Sequence, residues 1–490
     1  MDMTSLALLT DLYQLTMAYG YWKQYKADEQ SVFHLFFRSN PFRGGYVVAA
    51  GLQPALELIR DFRFQSDDVA FLTTIAGNDG KPIFEPAFLD YLSRLELSVD
   101  VDAIPEGTVV FPHEPLLRVR GSILQCQLLE TALLNIVNFQ SLIATKASRI
   151  AMAAKGDSVL EFGLRRAQGI DGALAASRAA YIGGCSATSN VLAGKLFGIP
   201  VRGTHAHSWV MSFDSELESF SAYAEAMPNN CVFLVDTYDT IEGVRHAIAV
   251  GQHLKNTGHR MVGIRLDSGD LANLSIEARK LLDAAGFEDA VIVASNDLDE
   301  RLIQSLKQQG AAIAVWGVGT KLVTAYDQPA LGGVYKLGAI QSNNGTWIPK
   351  IKLSEQLIKT STPGILQVRR YFDDESDATA DVILNELEPL PSPCKVIDPF
   401  DPSLFREMPD SMAFEDLLKP AIRNGKVLSE FPSLDSIRTR TGQQLQKFQS
   451  SVLRFDNPQK YFVGLEQGLH DLKSSLVREA RQTKQATEEP

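Results

Sequence analysis

Cysteine is scarce in this chain of 490 residues, with only Cys126, Cys185, Cys231 and Cys394. None forms a Cys-x-x-Cys pair, and the wide, irregular spacing excludes a zinc site or a small disulfide framework. Each reads as a small buried thiol, in keeping with a reducing, cytoplasmic address. Long hydrophobic runs are missing too. None reaches the roughly 18 residues that cross a bilayer, and the opening Met1–Thr4 carries no basic leader, so a soluble intracellular protein is expected. Positive charge is also short: 47 Lys+Arg against 59 Asp+Glu leave a net charge of −12. A general nucleic-acid or anionic-membrane binder needs the opposite sign. What the chain has in quantity is apolar surface, 45% of residues against 22% charged. That excludes a disordered or fibrous protein, and the length allows about two to four domains.

Three zones follow one another. Residues 1–139 mix short strand-like runs (Ser31–Phe37, Tyr46–Ala50, Gly107–Pro112, Leu116–Val119) with helices. Gln125–Ala154 reads as one long helix, with no Gly or Pro before Gly156. From Ser158 the pattern becomes rhythmic. Apolar runs at Ser158–Phe162, Ile199–Gly203, Cys231–Asp236, Met261–Asp267, Ala290–Asn296 and Ala312–Gly317 alternate with helical stretches. Runs about 20–40 residues apart with helices between them mean βαβ units and a parallel sheet. Gly333–Leu337 is expected to help close it. Thr240–Thr257 and Leu271–Ala285 are the clearest helices, stopped by Gly258 and Gly286. Residues 140–350 therefore read as an α/β barrel. In 351–490 the rhythm is lost: Asp373–Asp381 reads as an acidic solvated turn, and Glu388–Ser403 as a Pro-rich connection. Pro458 is expected in the first turn of a last helix capped by Asp456 or Asn457, and Gln482–Pro490 as a frayed end.

In a parallel barrel the active site lies where strands end and helices begin. Polar residues collect there: Arg165-Arg166 after the first run, Thr204-His205-Ala206-His207-Ser208 after the second, Asp236-Thr237-Tyr238-Asp239 after the third. Asp267-Ser268-Gly269-Asp270 with Arg265, then Ser295-Asn296-Asp297, then Gly317-Val318-Gly319-Thr320 complete the set. Such segregation points to an enzyme. Asp239, Asp270 and Asp297 each also suit helix N-caps. Adjacent arginines suit phosphate or carboxylate, and a glycine turn late in a barrel suits phosphate. His205 and His207 lack a third metal ligand, so a nucleophile or phosphoryl acceptor fits better than a metal pair. Asp267 and Asp270 suit ribose hydroxyls or Mg²⁺.

These clusters, in this order, resemble the nicotinate phosphoribosyltransferase family. The likeness extends along nearly the whole chain, through Leu8–Met17, Phe36-Phe37-Arg38 with Asn40-Pro41, Glu114–Val119, Glu130-Thr131 and Asn138-Phe139-Gln140. It continues through Leu331–Leu337, Lys352–Glu355 and Thr362-Pro363-Gly364. It implies an irregular phosphoribosyltransferase-type α/β barrel with an outer α+β domain built from both chain ends. It also implies transfer from 5-phosphoribosyl 1-pyrophosphate to nicotinate in NAD salvage, coupled to ATP hydrolysis as in a C–N ligase, with Mg²⁺ or Mn²⁺.

By the family motif, His207 would be the phosphorylated histidine, and His205 would fill a variable slot beside it. Tyr13, from the partner subunit of a homodimer, and Phe162 would sandwich the pyridine ring. Thr204 and Arg265 would meet nicotinate or the ribosyl group, and Asp267 the ribose hydroxyls. Gly317, Gly319 and Thr320 would bind the 5-phosphate, and Arg165 a phosphate or the pyrophosphate. Mg²⁺ would be held through substrate phosphates, with Asp270 or Asn296 as candidate ligands. Nicotinamide enzymes of related architecture carry an aspartate where Ser186 is expected to stand here, and serine suits the acid substrate. Quinolinate enzymes are shorter and lack the histidine motif. A catalytically silent relative that binds ligand is the rival from another class.

Overall fold

The rhythm read from residue 158 onwards takes the form of a parallel sheet. In the computed structural model, which describes residues 6–488, six short strands build it. They are β1 (Ser158–Glu161), β2 (Ala187–Thr188), β3 (Val232–Leu234), β4 (Gly263–Leu266), β5 (Val291–Ala294) and β6 (Val315–Val318). The order is β2-β1-β6-β5-β4-β3, with every pairing parallel. Phe233, Ile264, Ile292, Trp316 and Val318 are almost fully buried. Strands covered on both faces read as unbroken apolar runs, which is why this part is visible in the sequence.

The run Ile199–Gly203 does not form a strand. Pro200 has no N–H to give a ladder. Only its carbonyl, accepting from Thr188, and the Arg202 N–H, donating to Thr188, hold the segment beside β2 in a single bridge. Among the described residues no ladder joins this segment to β3. At that seam the Leu234 N–H donates instead to His205 Nε2 at 3.2 Å.

Helices Thr240–Asn256 and Leu271–Ala284 run as expected, and Gly258 (φ +81°) and Gly286 (φ +76°) follow them in the left-handed conformation that suits glycine. Asp239 and Asp270 cap these helices. Asp297 caps nothing. The cap of helix Glu300–Gln308 is Asp299, which accepts from the Leu302 N–H at 2.8 Å.

The chain divides into two units, one of Leu142–Pro329 with Leu434–Arg438, the other of the remaining segments. The second contains a seven-stranded antiparallel sheet and a mixed six-stranded sheet. Gly333–Gln341 belongs to the former, antiparallel to Gln30–Phe37, and so does not close the barrel as expected. The expected helix Gln125–Ala154 is two, Ile123–Leu128 and Glu130–Ala154, parted at Leu129 without a Gly or Pro to mark the break. The Pro-rich connection contains a strand, Cys394–Ile397. Pro458 begins no helix: the chain extends into strand Phe462–Glu466, and helix Gln467–Glu488 starts where Glu466 accepts from the Gly468 and Leu469 N–H groups.

Asp381 is not in a solvated turn. It sits in strand Ala378–Asn385, fully buried, gripped by the fork of Arg370 (Nε–Oδ1 2.8 Å) and by the Tyr461 hydroxyl at 3.1 Å. Beneath them the buried Glu114 carboxyl is raised well above the usual carboxylate range, first by burial and then by the Asp381 charge.

All four cysteines are buried free thiols, and burial pushes each of them up. Among the described residues no helix is long and apolar enough to cross a membrane. Met1–Ser5, and Glu489 and Pro490 of the tail expected to fray, lie outside the described residues; helix Gln467–Glu488 takes in Gln482.

Candidate active site

At the C-terminal ends of the strands, polar groups distant in sequence become neighbours. Arg265, on β4, is the hub. Its Nε donates to Ser295 Oγ at 2.9 Å, Nη1 to Thr204 Oγ1 at 2.8 Å and Nη2 to Asp267 Oδ1 at 3.1 Å. Ser295 in turn donates to Asp267. The ends of β4 and β5 and the loop that carries Thr204 are thus tied together through one planar cation, which a flexible ammonium could not do.

Asp267 is fixed from below as well. Asp236, at the end of β3, accepts from the Asp267 N–H and the Ser268 hydroxyl, each at 2.7 Å through Oδ2. Its Oδ1 is buried without a partner. His207, opening the short helix His207–Met211, places Nδ1 3.0 Å from Thr237 Oγ1 and Nε2 3.8 Å from Asp267 Oδ2. The imidazole is partly exposed, so a reagent has access to Nε2.

His205 faces away from this group. It is buried against Phe220 and Tyr223, and its neutral form is enforced by burial, which lowers its pKa to about 4. A neutral ring is what the seam requires, because Nε2 must accept the Leu234 N–H. The expectation of a mere neighbour is thereby sharpened: His205 anchors the loop that carries Thr204 and His207.

Phe162 follows β1 and donates its N–H to the Val318 carbonyl at 2.8 Å. A Cβ on Gly317 would stand 2.8 Å from the Phe162 ring, so Gly317 lets that ring lie against the sheet. Glu161, buried, accepts from Ser177 Oγ at 2.8 Å, Thr188 Oγ1 at 2.5 Å and the Gly163 N–H, and so shapes the turn beneath. Arg165 stands exposed on the turn Leu164–Arg166. Gly319 precedes the short helix Thr320–Val323, whose first turn starts at the same end of the sheet.

Ser186 lies elsewhere. Both its N–H (2.8 Å) and its hydroxyl (3.1 Å) donate to the Val159 carbonyl, near the start of β1. The serine at the C-terminal end of β2 is Ser189, whose N–H donates to the Glu161 carbonyl at 2.9 Å. Tyr13 belongs to the other unit and is half exposed, at 48%.

Asp270 spends its carboxylate on capping, accepting from the Ala272, Asn273 and Asn273 side-chain N–H groups, and Asn296 is exposed at φ +91°. Among the described residues no group of three His, Cys, Asp or Glu is set to hold a metal ion.

Ser295, Thr237, Asp236 and Glu161 are roles that sequence reading left unassigned. Their position at strand ends was the available signal; their side-chain partners, 16 to 32 residues away in sequence, were not.

Comparison with known proteins bears on this geometry. Residues 8–138 match the model of the nicotinate phosphoribosyltransferase N-terminal domain, 158–376 that of the nicotinate phosphoribosyltransferase family and 366–473 that of its C-terminal domain. The chain is 42% identical to nicotinate phosphoribosyltransferase of Bacillus subtilis (strain 168) over 488 residues, covering 97% of each. It is 37% identical to that of Homo sapiens over 526 residues, covering 96% of each. A crystal structure of human nicotinic acid phosphoribosyltransferase superposes with a TM-score of 0.84 at 34% identity, over 95% of this chain and 99% of that one. Barrel, outer unit and strand-end residues agree with these likenesses: the chain belongs to the nicotinate phosphoribosyltransferase family.

Proposed function

We propose that the chain joins nicotinate to the phosphoribosyl group of 5-phosphoribosyl 1-pyrophosphate, giving nicotinate mononucleotide and pyrophosphate, the first step of NAD salvage from nicotinate. The observation that carries it is the Arg265 hub, a fixed cation beside Thr204 and Asp267. In the reaction the bond from ribose C1 to the pyrophosphate oxygen breaks as the bond from C1 to the pyridine nitrogen forms. That nitrogen already has a lone pair, so no general base is needed, and rate comes from positioning and charge.

Arg265 pairs with the nicotinate carboxylate, and Asp267 holds the ribose hydroxyls beside the developing oxocarbenium charge. Phe162 supports one face of the pyridine ring, and Tyr13 of the partner subunit in a homodimer covers the other. Gly317, Gly319 and Thr320 hold the 5-phosphate, with Arg165 reaching the pyrophosphate. Mg²⁺ or Mn²⁺ bound to the phosphates would neutralise the leaving pyrophosphate.

His207 couples ATP hydrolysis to the transfer. Thr237 occupies Nδ1, which leaves Nε2 as the nucleophile toward the γ-phosphate. The P–O bond to ADP breaks as the P–N bond forms, and water later releases phosphate. Four buried free thiols suit a reducing, cytoplasmic address.

The test mixes purified full-length chain with nicotinate, 5-phosphoribosyl 1-pyrophosphate and Mg²⁺, with and without ATP. Pyrophosphate release with nicotinate and little with nicotinamide is expected. No release under either condition would leave the silent ligand-binding relative as the reading. His207→Ala should lose ATP hydrolysis and retain some transfer; hydrolysis at the unaltered rate would remove His207 from its role.

A further inference from the structure

Lys321 stands one residue past Thr320, the last member of the turn that the proposed reaction gives to the 5-phosphate. Lys321 Nζ donates to Asp299 Oδ2 at 2.7 Å, while Asp299 Oδ1 accepts the Leu302 N–H at 2.8 Å as the cap of helix Glu300–Gln308. The loop after β6 is thereby clasped to the loop after β5, the one that carries Ser295. On its other side the same turn packs against Gly163, just after β1. A Cβ on Gly163 would stand 2.3 Å from the Val323 side chain and 3.0 Å from the Gly319 carbonyl oxygen.

The pair is the edge of a larger charge network. Lys146 and Arg149, one turn apart on helix Glu130–Ala154 and almost fully buried, both reach Glu300, the residue after Asp299, at 2.7 and 2.8 Å. Lys146 also pairs with Asp327 at 2.8 Å. The segment from Lys321 to Asp327 is therefore held at both ends, by Asp299 and by Lys146. Buried ion pairs contribute little net stability, because the cost of taking both charges out of water offsets their attraction. What such a network supplies is a fixed place for the loops it joins.

We infer, resting on the proposed assignment of Gly317, Gly319 and Thr320 to the 5-phosphate, that Lys321 and Asp299 are positioning residues for the transfer. Their ion pair holds the turn in the one conformation that receives the phosphate. Lys321 acts through the turn and not as a phosphate ligand, since its charge is spent on Asp299. Nicotinate, placed by Arg265 and Phe162, does not depend on the pair.

Asp299→Asn keeps a helix cap and breaks the ion pair from one side. Lys321→Gln breaks it from the other, on a partly exposed side chain. Steady-state kinetics of the full-length chain, with 5-phosphoribosyl 1-pyrophosphate and nicotinate varied in turn, should show KM for the first raised about tenfold in each variant. KM for nicotinate should stay within about twofold. The double variant should be no worse than either single one, and Lys321→Arg, which can reach the same carboxylate, should restore the KM. If Lys321→Gln raised that KM while Asp299→Asn left it unchanged or lowered it, Lys321 would be a phosphate ligand and the positioning role would fall. Equal rises in both KM values, or a lower urea midpoint with neither KM moved, would reduce the pair to a structural one and overturn the inference too. Pyrophosphate release with every KM unmoved in both variants would strike the inference alone, whereas no release from the unaltered chain would strike the proposed function beneath it.

Discussion

Arg265 bonds on three sides to Ser295, Thr204 and Asp267, a geometry set by the planar guanidinium. Arg265→Lys keeps the charge and loses the fork, so kcat/KM for nicotinate should fall about 100-fold or more, as for loss of a preorganised donor set. Unchanged kinetics would show that charge alone suffices. Serine presents a sharper choice. Ser189 directly follows β2 at its C-terminal end, whereas a carboxylate at Ser186 would displace a hydroxyl bonded to Val159. Ser189→Asp is therefore expected to shift the nicotinamide-to-nicotinate ratio of kcat/KM upward by about tenfold, through repulsion of the acid, and Ser186→Asp is expected to lower stability without that shift. The reverse pattern would return the specificity role to Ser186. Chain position alone did not separate the two serines, because strand direction, not distance along the chain, decides which one reaches the mouth. The same holds for Glu161, whose partners Ser177 and Thr188 come together only in the fold.

At the scale of elements, the strands that the sequence shows plainly are those covered on both faces, β1 and β3 to β6, because burial writes itself as a continuous apolar run. The two-residue β2 is too short to leave a pattern, and the apolar run after it is held by a single bridge because Pro200 has no N–H to give. Strand Phe462–Glu466 hid behind Pro458, since a proline after Asn457 is also how a helix begins. What no periodicity shows is where two elements approach too closely for a side chain. Gly317 in β6 is such a place, with the Phe162 ring where its Cβ would be. Gly317→Ala should push that ring off the sheet, raising KM for nicotinate about tenfold or more with a smaller change in kcat, while overpacking costs about 1–3 kcal/mol of stability. A KM unchanged in a folded variant would mean that Phe162 does not support the substrate ring.

Across the whole molecule, buried neutral histidines tie acid sensitivity to architecture. In the outer unit, His34 on strand Gln30–Phe37 accepts the Leu366 N–H at 3.1 Å, joining the seven-stranded sheet to the first residue of a strand in the six-stranded one. Burial, and then the Arg118 charge, lower its pKa to about 3. Protonation would destroy the acceptor and leave a charge 2% exposed to solvent. With the folded pKa below the unfolded value of about 6.5, the unfolded chain binds the extra proton in that window. Stability from this group is therefore full above pH ~6.5 and is lost as pH falls from there toward about 3, by ~1.4 kcal/mol per unit. His113 and His205, both lowered to about 4, act in the same direction, while the raised carboxyls of Glu114 and Glu216 act against them. A single substitution isolates one group from that sum. His34→Gln retains an acceptor for the Leu366 N–H and cannot titrate. Between pH 7 and pH 5 the unaltered protein should lose ~2 kcal/mol more than the variant, read as the difference between their urea midpoints at each pH. Because the other groups are common to both proteins, their contributions cancel in that difference. Parallel curves would show that His34 does not titrate between the folded and unfolded chains, and that the join between the sheets is indifferent to acid.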